Sequence, residues 1–246
     1  MDPVLTEISL QGLIFAILPV AVVIGIMFFW SAGAKTAIYA TLRMLIQLLL
    51  IGYVLIYIFD TDQPAIIIAV LLVMLAAASW IAIRPLREKQ LQIYLNSFGA
   101  IAVGGILTLV LVTQGVIGVE PWFSPRYVVP LSGMIFAGSM NAVSLAAERF
   151  QSECDRGAPY AQARRIALHA ALIPITNTLF AVGLVALPGM MTGQILSGVS
   201  PMVAAKYQIV VMTMLFGASG ISAALYLVLA NRSLRHAEAH PDPTEV

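Results

Sequence analysis

The residues of this sequence that could do chemistry are a few polar side chains set inside long apolar stretches. Arg43 and Gln47 stand four apart in TLRMLIQLLLIGYVL, a spacing that places both on one face of a helix. A charged side chain at the bilayer centre costs at least about 2.5 kcal/mol, so it usually faces a protein interior or a water-filled cavity. The pair therefore predicts a polar path through a membrane, although Arg43 could instead reach the nearby interface and Gln47 could bond a neighbouring helix.

Further candidates for a transport pathway carry an amide or a thioether group at predicted membrane depth. They are Asn141, Asn177, Met190, Met191, Gln194 and Gln208. Amides also bridge helices and methionine commonly fills apolar cores, so a packing role stays open for each of them. Thioether sulfur would suit a soft metal ion, but the sequence assigns no metal ligand.

Other classes of function find little support in the sequence. The chain has no nucleophile–base motif, no paired intramembrane carboxylates and no Cys/His zinc pattern, which argues against an enzyme. It lacks the G-x-x-x-x-G-K-[ST] loop of ATPases, so any ATP must be hydrolysed by another protein, and we expect no cofactor on this chain. A net charge of +1 provides no basic surface for nucleic acid.

The composition places these polar residues in a membrane protein. Hydrophobic residues make up 60% of the chain and charged residues 10%, against about 25% charged in soluble domains. Long apolar runs predict an all-α, polytopic integral membrane protein with about seven transmembrane helices in one domain, 1–231, followed by a polar tail, 232–246. The predicted spans are 10–30, 37–59, 65–83, 98–119, 127–147, 170–187 and 207–230.

The basic residues predict the orientation through the positive-inside rule. With the N-terminus outside, Arg126 lies in an outer segment and Lys206 at the outer rim of the last span. The residues that then fall on the inner side are Lys35, Arg84, Arg87, Lys89, Arg149, Arg156, Arg164, Arg165, Arg232 and Arg235. We therefore expect a multi-pass protein of the cell (inner) membrane with a cytoplasmic C-terminus.

The stretch LPGMMTGQILSGVSP interrupts the apolar pattern between the sixth and seventh spans. Proline removes a backbone donor and glycine weakens a helix by about 1 kcal/mol, so a straight helix through this stretch is unfavourable. Irregular backbone near membrane depth is tolerated where it is buried in protein or lines a cavity. The stretch predicts a broken or re-entrant outer segment that caps a pathway, with an interfacial loop as the alternative.

The segment 148–169, ERFQSECDRGAPYAQARRIALH, has charged helical ends around a short turn. On the predicted topology it faces the cytoplasm, where a short helix with basic residues could dock onto a soluble partner. A solvated helical hairpin without a partner is the alternative. The candidate coupling residues are Glu153, Arg156, Gly157, Ala158, Arg164 and Arg165.

Several blocks of the chain match one known family. They are RMLIQLLLIGYVLIYIF, VVPLSGMIFAGSMNAVSL, AALIPITN and VGLVALPGMMTGQILSGVSPMVAAKYQIVVM. On these blocks the sequence resembles the Fet-type (FetB-like) permeases of ABC transporters, described in bacteria as iron exporters and related to plant permeases of aluminium tolerance. The family usually has a longer cytoplasmic segment with the pattern L-G-A-T/S-P, with which Gly157 and Ala158 would align.

The resemblance implies a membrane-spanning subunit, acting as a homodimer in the lipid bilayer, that exports iron or another metal ion. It also implies a separate cytosolic ATP-binding cassette ATPase as partner, which would use ATP and Mg²⁺. The rival interpretation is an ATP-independent channel or secondary carrier for a metal ion or small solute, in which the broken segment would form a gate.

Overall fold

The computed structural model describes residues 9–86 and 90–239, and this part of the chain is almost entirely helical. Its helices are α1 (Leu10–Phe29), α2 (Ala34–Phe59), α3 (Pro64–Ala82), α4 (Leu91–Val110), α5 (Pro125–Asp155), α6 (Tyr160–Ala181), α7 (Gly189–Leu196) and α8 (Pro201–Ala239), with a π-helical segment, Leu111–Ile117, continuing α4. Six of the described helices are long and apolar enough to cross a membrane. The predicted all-α, polytopic membrane fold is confirmed.

The predicted sixth span, 170–187, differs most from the structure. The helix in this region, α6, starts earlier, at Tyr160, and ends at Ala181. Its first half carries Arg164, Arg165 and His169, and it is not among the six candidate spans. The last residues of the predicted span form a turn instead, because Gly183 adopts a φ of +82° that ends the helical path.

The first compact unit extends to Thr61 and contains α1 and α2. Ser9 caps α1 by accepting a hydrogen bond from the backbone N–H of Gly12 at 3.2 Å. A short turn at residues 30–33 reverses the chain, with Gly33 at a φ of +79° before α2 begins. The two helices therefore form an antiparallel hairpin whose surface is largely apolar and exposed, as lipid contact requires.

The second unit begins at Asp62 and has α5 and α8 at its centre. These helices pack against each other, α4 packs against both, α3 packs against α5, and α6 also contacts both. Small residues permit the closest approach: a Cβ added to Gly104 of α4 would lie 3.0 Å from the backbone nitrogen of Ser222 in α8. Fully buried side chains, among them Ile135, Val143 and Leu227, fill the space between the helices.

Both central helices are longer than their predicted spans. Helix α5 runs from Pro125 to Asp155, and α8 continues to Ala239, into the first part of the predicted polar tail. The rest of that tail, residues 240–246, lies outside the described residues, as do the inner-side candidates Arg87 and Lys89. The charged residues that follow the apolar part of each helix keep the helical conformation, so hydropathy alone placed the ends too early.

Candidate functional site

The predicted break between the last two spans is present and has a defined structure. After Ala181 the backbone N–H of Gly183 bonds the carbonyl of Ala186 at 3.0 Å, closing a tight turn before Pro188. The eight-residue helix α7 follows, and Gly198, at a φ of +89°, separates it from α8. Left-handed backbone strongly favours glycine, which explains why the turns fall at these glycines. The broken segment is confirmed, while its outer position stays a prediction.

In the described part of the chain, α7 contributes side chains to two of the cavities, and the first lies among α5, α7 and α8. This α5–α7–α8 cavity has a volume of about 530 Å³. Its side chains come from the first turns of α5 and α8, from α7 and from the end of the π-helical segment. Two predicted pathway residues, Met190 and Gln194, line it. The other lining residues with chemical relevance are Arg126, Tyr127, Met134 and Tyr207.

Polar groups in the α5–α7–α8 cavity have few partners in the protein. The Oε1 atom of Gln194 is buried and accepts no hydrogen bond within the described residues. In the same part of the chain, the side chains of Tyr127 and Tyr207 make no hydrogen bond and Arg126 makes no ion pair. Arg126 and Tyr127 are exposed, so the Oε1 atom of Gln194 is the buried group of this cavity that a protein donor, a water or a ligand would normally satisfy.

The second cavity, among α6, α7 and α8, has a volume of about 360 Å³. Met191, Met212 and Gln208 line this α6–α7–α8 cavity. Gln208 is 5% exposed, and its Oε1 atom has no hydrogen-bond partner among the described residues. Adjacent residues of α7 therefore line different cavities: Met190 lines the α5–α7–α8 cavity and Met191 lines the α6–α7–α8 cavity.

The two predicted asparagines are not brought together. Asn177 lies near the end of α6 and lines a smaller cavity of about 280 Å³ beside Pro188. Asn141 is exposed on α5 and lines neither of the two cavities that border α7. The structure thus places Asn177 near the break, whereas Asn141 occupies a different part of the helix surface.

Arg43 and Gln47 belong to α2, in the first unit. Arg43 is half-buried, Gln47 is exposed, and neither side chain makes a hydrogen bond within the described residues. Because α2 begins at Ala34, Arg43 lies about 13 Å along the helix at 1.5 Å per residue. Arg43 is therefore further from the start of its helix than the sequence predicted, since the span was expected to begin at residue 37.

The candidate coupling segment consists of two helix ends joined by a four-residue turn. Gly157, at a φ of +78°, ends α5, with its N–H bonded to the carbonyl of Cys154 at 2.8 Å. The N–H of Ala158 bonds the carbonyl of Glu153 at 3.1 Å. These two hydrogen bonds form the Schellman motif, so Gly157 serves to terminate α5 through its backbone conformation. Pro159 then precedes the first turn of α6.

Side chains fix this turn to the rest of the second unit. The buried Glu153 forms an ion pair with Arg149 at 2.8 Å and accepts a hydrogen bond from Arg156 at 3.4 Å. Tyr160 packs edge-on against Phe150 and donates a hydrogen bond to the carbonyl oxygen of Leu227 in α8 at 3.3 Å. The turn is therefore connected directly to both central helices.

The basic residues of the turn remain available on its surface. The guanidinium of Arg164 stacks over the Tyr160 ring at 5.3 Å, which orients it without burying it. Arg156 and Arg165 are also exposed. The candidate coupling residues thus lie together at one end of the second unit, and their role in coupling stays a prediction.

The cavity with Arg126 and the turn with Gly157 lie at opposite ends of the second unit. The cavity is lined by the first turns of α8, which begins at Pro201. The turn contacts α8 at Leu227, about 24–36 Å beyond the cavity-lining residues Val211 and Val203 at 1.5 Å per residue. This separation is comparable to the thickness of the hydrocarbon core of a bilayer, about 30 Å.

Sequence reasoning missed part of the cavity and the π-helical segment. Arg126 served only to predict orientation, and Tyr127 was not considered. Met134 and Tyr207 lie inside blocks that match the known family but were not predicted as pathway residues. For Arg126 a signal existed, because it is a basic residue at the very start of an apolar span on the side where such residues are rare.

The described residues contain no group of three or more His, Cys, Asp or Glu side chains that could hold a metal ion. The metal ligands left unassigned by the sequence therefore stay unassigned. The polar groups that do converge are amides, phenols and one guanidinium, together with thioethers from methionine.

Comparison with known proteins identifies relatives along most of the chain. The probable iron export permease protein FetB of Escherichia coli (strain K12) is 36% identical over 220 residues, 82% of this chain and 79% of the relative. A UPF0014 membrane protein of Synechocystis sp. is 35% identical over 193 residues, 69% of this chain and 71% of the relative. The protein ALUMINUM SENSITIVE 3 of Arabidopsis thaliana is 32% identical over 201 residues, 75% of this chain and 72% of the relative. No solved structure matches the chain.

These relatives include both groups to which the sequence blocks pointed, a bacterial Fet-type permease and a plant protein named for aluminium sensitivity. The sequence model of the uncharacterised protein family UPF0014 matches residues 10–234, from the first residue of α1 nearly to the end of α8. The chain, an all-α polytopic membrane protein, is therefore a member of the UPF0014 family.

Proposed function

We propose that this chain is the membrane-spanning permease subunit of an ATP-driven transporter in the inner membrane. Two copies would work with a separate cytosolic ATP-binding cassette ATPase. The observation that carries the proposal is the placement of a basic turn and a polar cavity at opposite ends of the same two helices. Because α5 and α8 are continuous between them, a force on the turn can change the shape of the cavity.

In this mechanism the turn at Gly157 is the contact with the ATPase. Its exposed arginines provide rim contacts for an acidic surface, while Glu153 and Tyr160 hold the turn against α5 and α8. Movement of the ATPase after ATP binding would displace the turn as one body. The central helices would then reorient the two cavities that border α7.

Iron and outward transport enter the proposal through the relatives. The E. coli relative is named as a probable iron export permease, and the Arabidopsis relative is named for aluminium sensitivity. We therefore propose export of iron or another metal ion, free or bound to a carrier molecule. Cellular iron content after iron loading, compared with and without the chain and its ATPase, measures this directly; equal contents would remove iron as the substrate.

The coupling proposal is tested with the tagged chain and the cassette ATPase from the same cell, reconstituted in lipid vesicles. We expect no ATP hydrolysis from the chain alone and stimulated hydrolysis from the pair. Replacing Arg156 and Arg165 with Gln should weaken binding of the ATPase at least about tenfold, because charge-assisted contacts are lost. Transport that proceeds without ATP and without the ATPase would instead establish the channel or carrier interpretation.

Glu153→Gln tests whether the turn must be held to transmit force. The substitution weakens the ion pairs to Arg149 and Arg156, so we expect ATPase binding to persist while stimulated transport falls. The matched control is Glu148→Gln, one turn earlier on α5, where the side chain is exposed and makes no ion pair in the described residues. Equal effects of the two substitutions would contradict a specific role for Glu153.

A further inference from the structure

We propose that the α5–α7–α8 cavity binds the transported solute through an oxyanion, with Arg126 as its charged contact. The ligand class is a small organic anion bearing carboxylate or phosphate groups, either alone or as an anionic chelate of a metal ion. This inference rests on the proposed transport function, because it names the class of solute carried. The observations behind it are the position of Arg126, the donors that surround it and the size of the cavity.

Arg126 occupies an unfavourable position for a basic residue. It is the second residue of α5, where the helix dipole favours negative charge, and the first turn of α5 contains no acidic residue. Its side chain is exposed where it lines the cavity, and no ion pair in the described part of the chain compensates its charge. An anion bound at the start of α5 would satisfy both the guanidinium and the positive end of the helix dipole.

Neutral donors line the same cavity as Arg126. The hydroxyl groups of Tyr127 and Tyr207 make no hydrogen bond within the described residues, and the Nε2 group of Gln194 donates none; the buried Oε1 atom of Gln194 is an acceptor and would not contact the anion. Phenol and amide groups can donate to a carboxylate or phosphate oxygen while the guanidinium provides a bidentate contact. Together these side chains form a set of donors suited to an oxyanion.

The remaining walls favour a molecule over a bare cation. Met134, Met190 and Val203 provide apolar surface, and no acidic side chain is among the described residues that line the cavity. A bare metal cation would face the positive charge of Arg126 without a carboxylate to offset it. The volume of about 530 Å³ falls within the range of small-molecule sites, roughly 300–1,000 Å³.

Equilibrium binding to the purified chain in phosphatidylcholine nanodiscs tests the proposal without ATP or a partner. Failure of the ATPase coupling would therefore leave this test unaffected. The probes are radiolabelled citrate, ferric citrate, pyrophosphate, and ferrous iron alone. We expect saturable binding of at least one anionic probe, weakening as salt concentration rises, and no comparable binding of ferrous iron alone.

Arg126→Gln should lower the affinity for the bound anion about tenfold or more, the loss expected for a charge-assisted contact. This substitution removes a cation from the start of α5, so the helix dipole gives no reason for misfolding. Tyr207→Phe should lower the affinity less, since it removes a neutral donor. The matched control is Lys206→Gln, which removes an exposed cation that does not line the cavity and should change the affinity less than about twofold.

Three results would overturn the proposal. The first is ferrous iron binding equally well to the wild-type chain and to Arg126→Gln. The second is the absence of Arg126-dependent binding for all three anionic probes up to about 10 mM, beyond the range of useful affinities. The third is occupation of Arg126 by lipid phosphate, detected as phosphatidylglycerol that is retained by the wild-type chain, lost in Arg126→Gln and not displaced by the anionic probes.

Discussion

Gln208 is a buried residue whose side-chain amide is not explained by packing alone. Its side chain is buried in α8, yet its Oε1 atom has no partner among the described residues. Leaving a buried acceptor unsatisfied costs about 1–3 kcal/mol, so packing alone would favour an apolar residue here. The amide is therefore better explained by a solute or water that it contacts in the α6–α7–α8 cavity.

Gln208→Met keeps the approximate size of the side chain and removes its amide. We expect the Tm of the solubilised chain to stay the same or rise, because a buried unsatisfied acceptor is lost, while the rate of ATP-driven transport falls severalfold. Size-exclusion chromatography after heating measures the Tm, and transport into vesicles measures the rate. Gln162→Met, at an exposed position of α6, is the control. A large loss of Tm with unchanged transport would assign Gln208 to packing.

At the scale of the elements, close helix contacts decide the architecture of the second unit. Helices in lipid associate mainly through van der Waals packing, which small residues make possible. Gly104 in α4 meets the backbone of Ser222 in α8, and Gly105 meets the ring of Phe136 in α5. The two adjacent glycines thus let α4 lie close to both central helices at once.

Gly104→Ala should destabilise the protein by about 1–3 kcal/mol, because the added methyl group would lie 3.0 Å from the Ser222 nitrogen, which cannot move without α8. A lower Tm in detergent measures this loss. Gly217→Ala in α8 is the control, since nothing lies within 4 Å of its added Cβ. There the gain in helix propensity, about 1 kcal/mol, should preserve or raise the Tm. If both substitutions lower the Tm equally, the contact between α4 and α8 is not the cause.

The helices could be predicted from the sequence where an apolar run ends in a turn signal. Residues 10–30 and 65–83 were within about one residue of α1 and α3, since both runs are flanked by polar or turn-forming residues. The cavity could not be predicted in the same way. Arg126 and Tyr207 are far apart in the chain, and helical periodicity gives the face of a residue but not the neighbouring helix.

At the scale of the whole molecule, the second unit presents two chemically different ends. One end has the turn with Gly157 and exposed arginines, and the other has the α7 segment with the two cavities. The positive-inside rule predicts that the basic end faces the cytoplasm. Transport coupled to cytosolic ATP requires this orientation, so it can be tested independently of the substrate.

Labelling with a membrane-impermeant maleimide determines the orientation. Cys154 is the only cysteine of the sequence, so Cys154→Ser provides an unreactive background. In that background we expect Ala158→Cys to react only after the cells are permeabilised and Ser200→Cys to react in intact cells. The reverse pattern would place the basic turn outside and remove the proposed contact with a cytosolic ATPase.

The shortness of α7 has a thermodynamic consequence. Eight residues are too few for a helix to be stable by itself in water, and none of its side chains is fully buried. Its order must come from the neighbours and from the glycine turns at its ends, so its amide protons should exchange with deuterium sooner than those of α5 or α8. Helix α7, which lines both cavities, is then the part of the bundle whose local unfolding requires the least free energy.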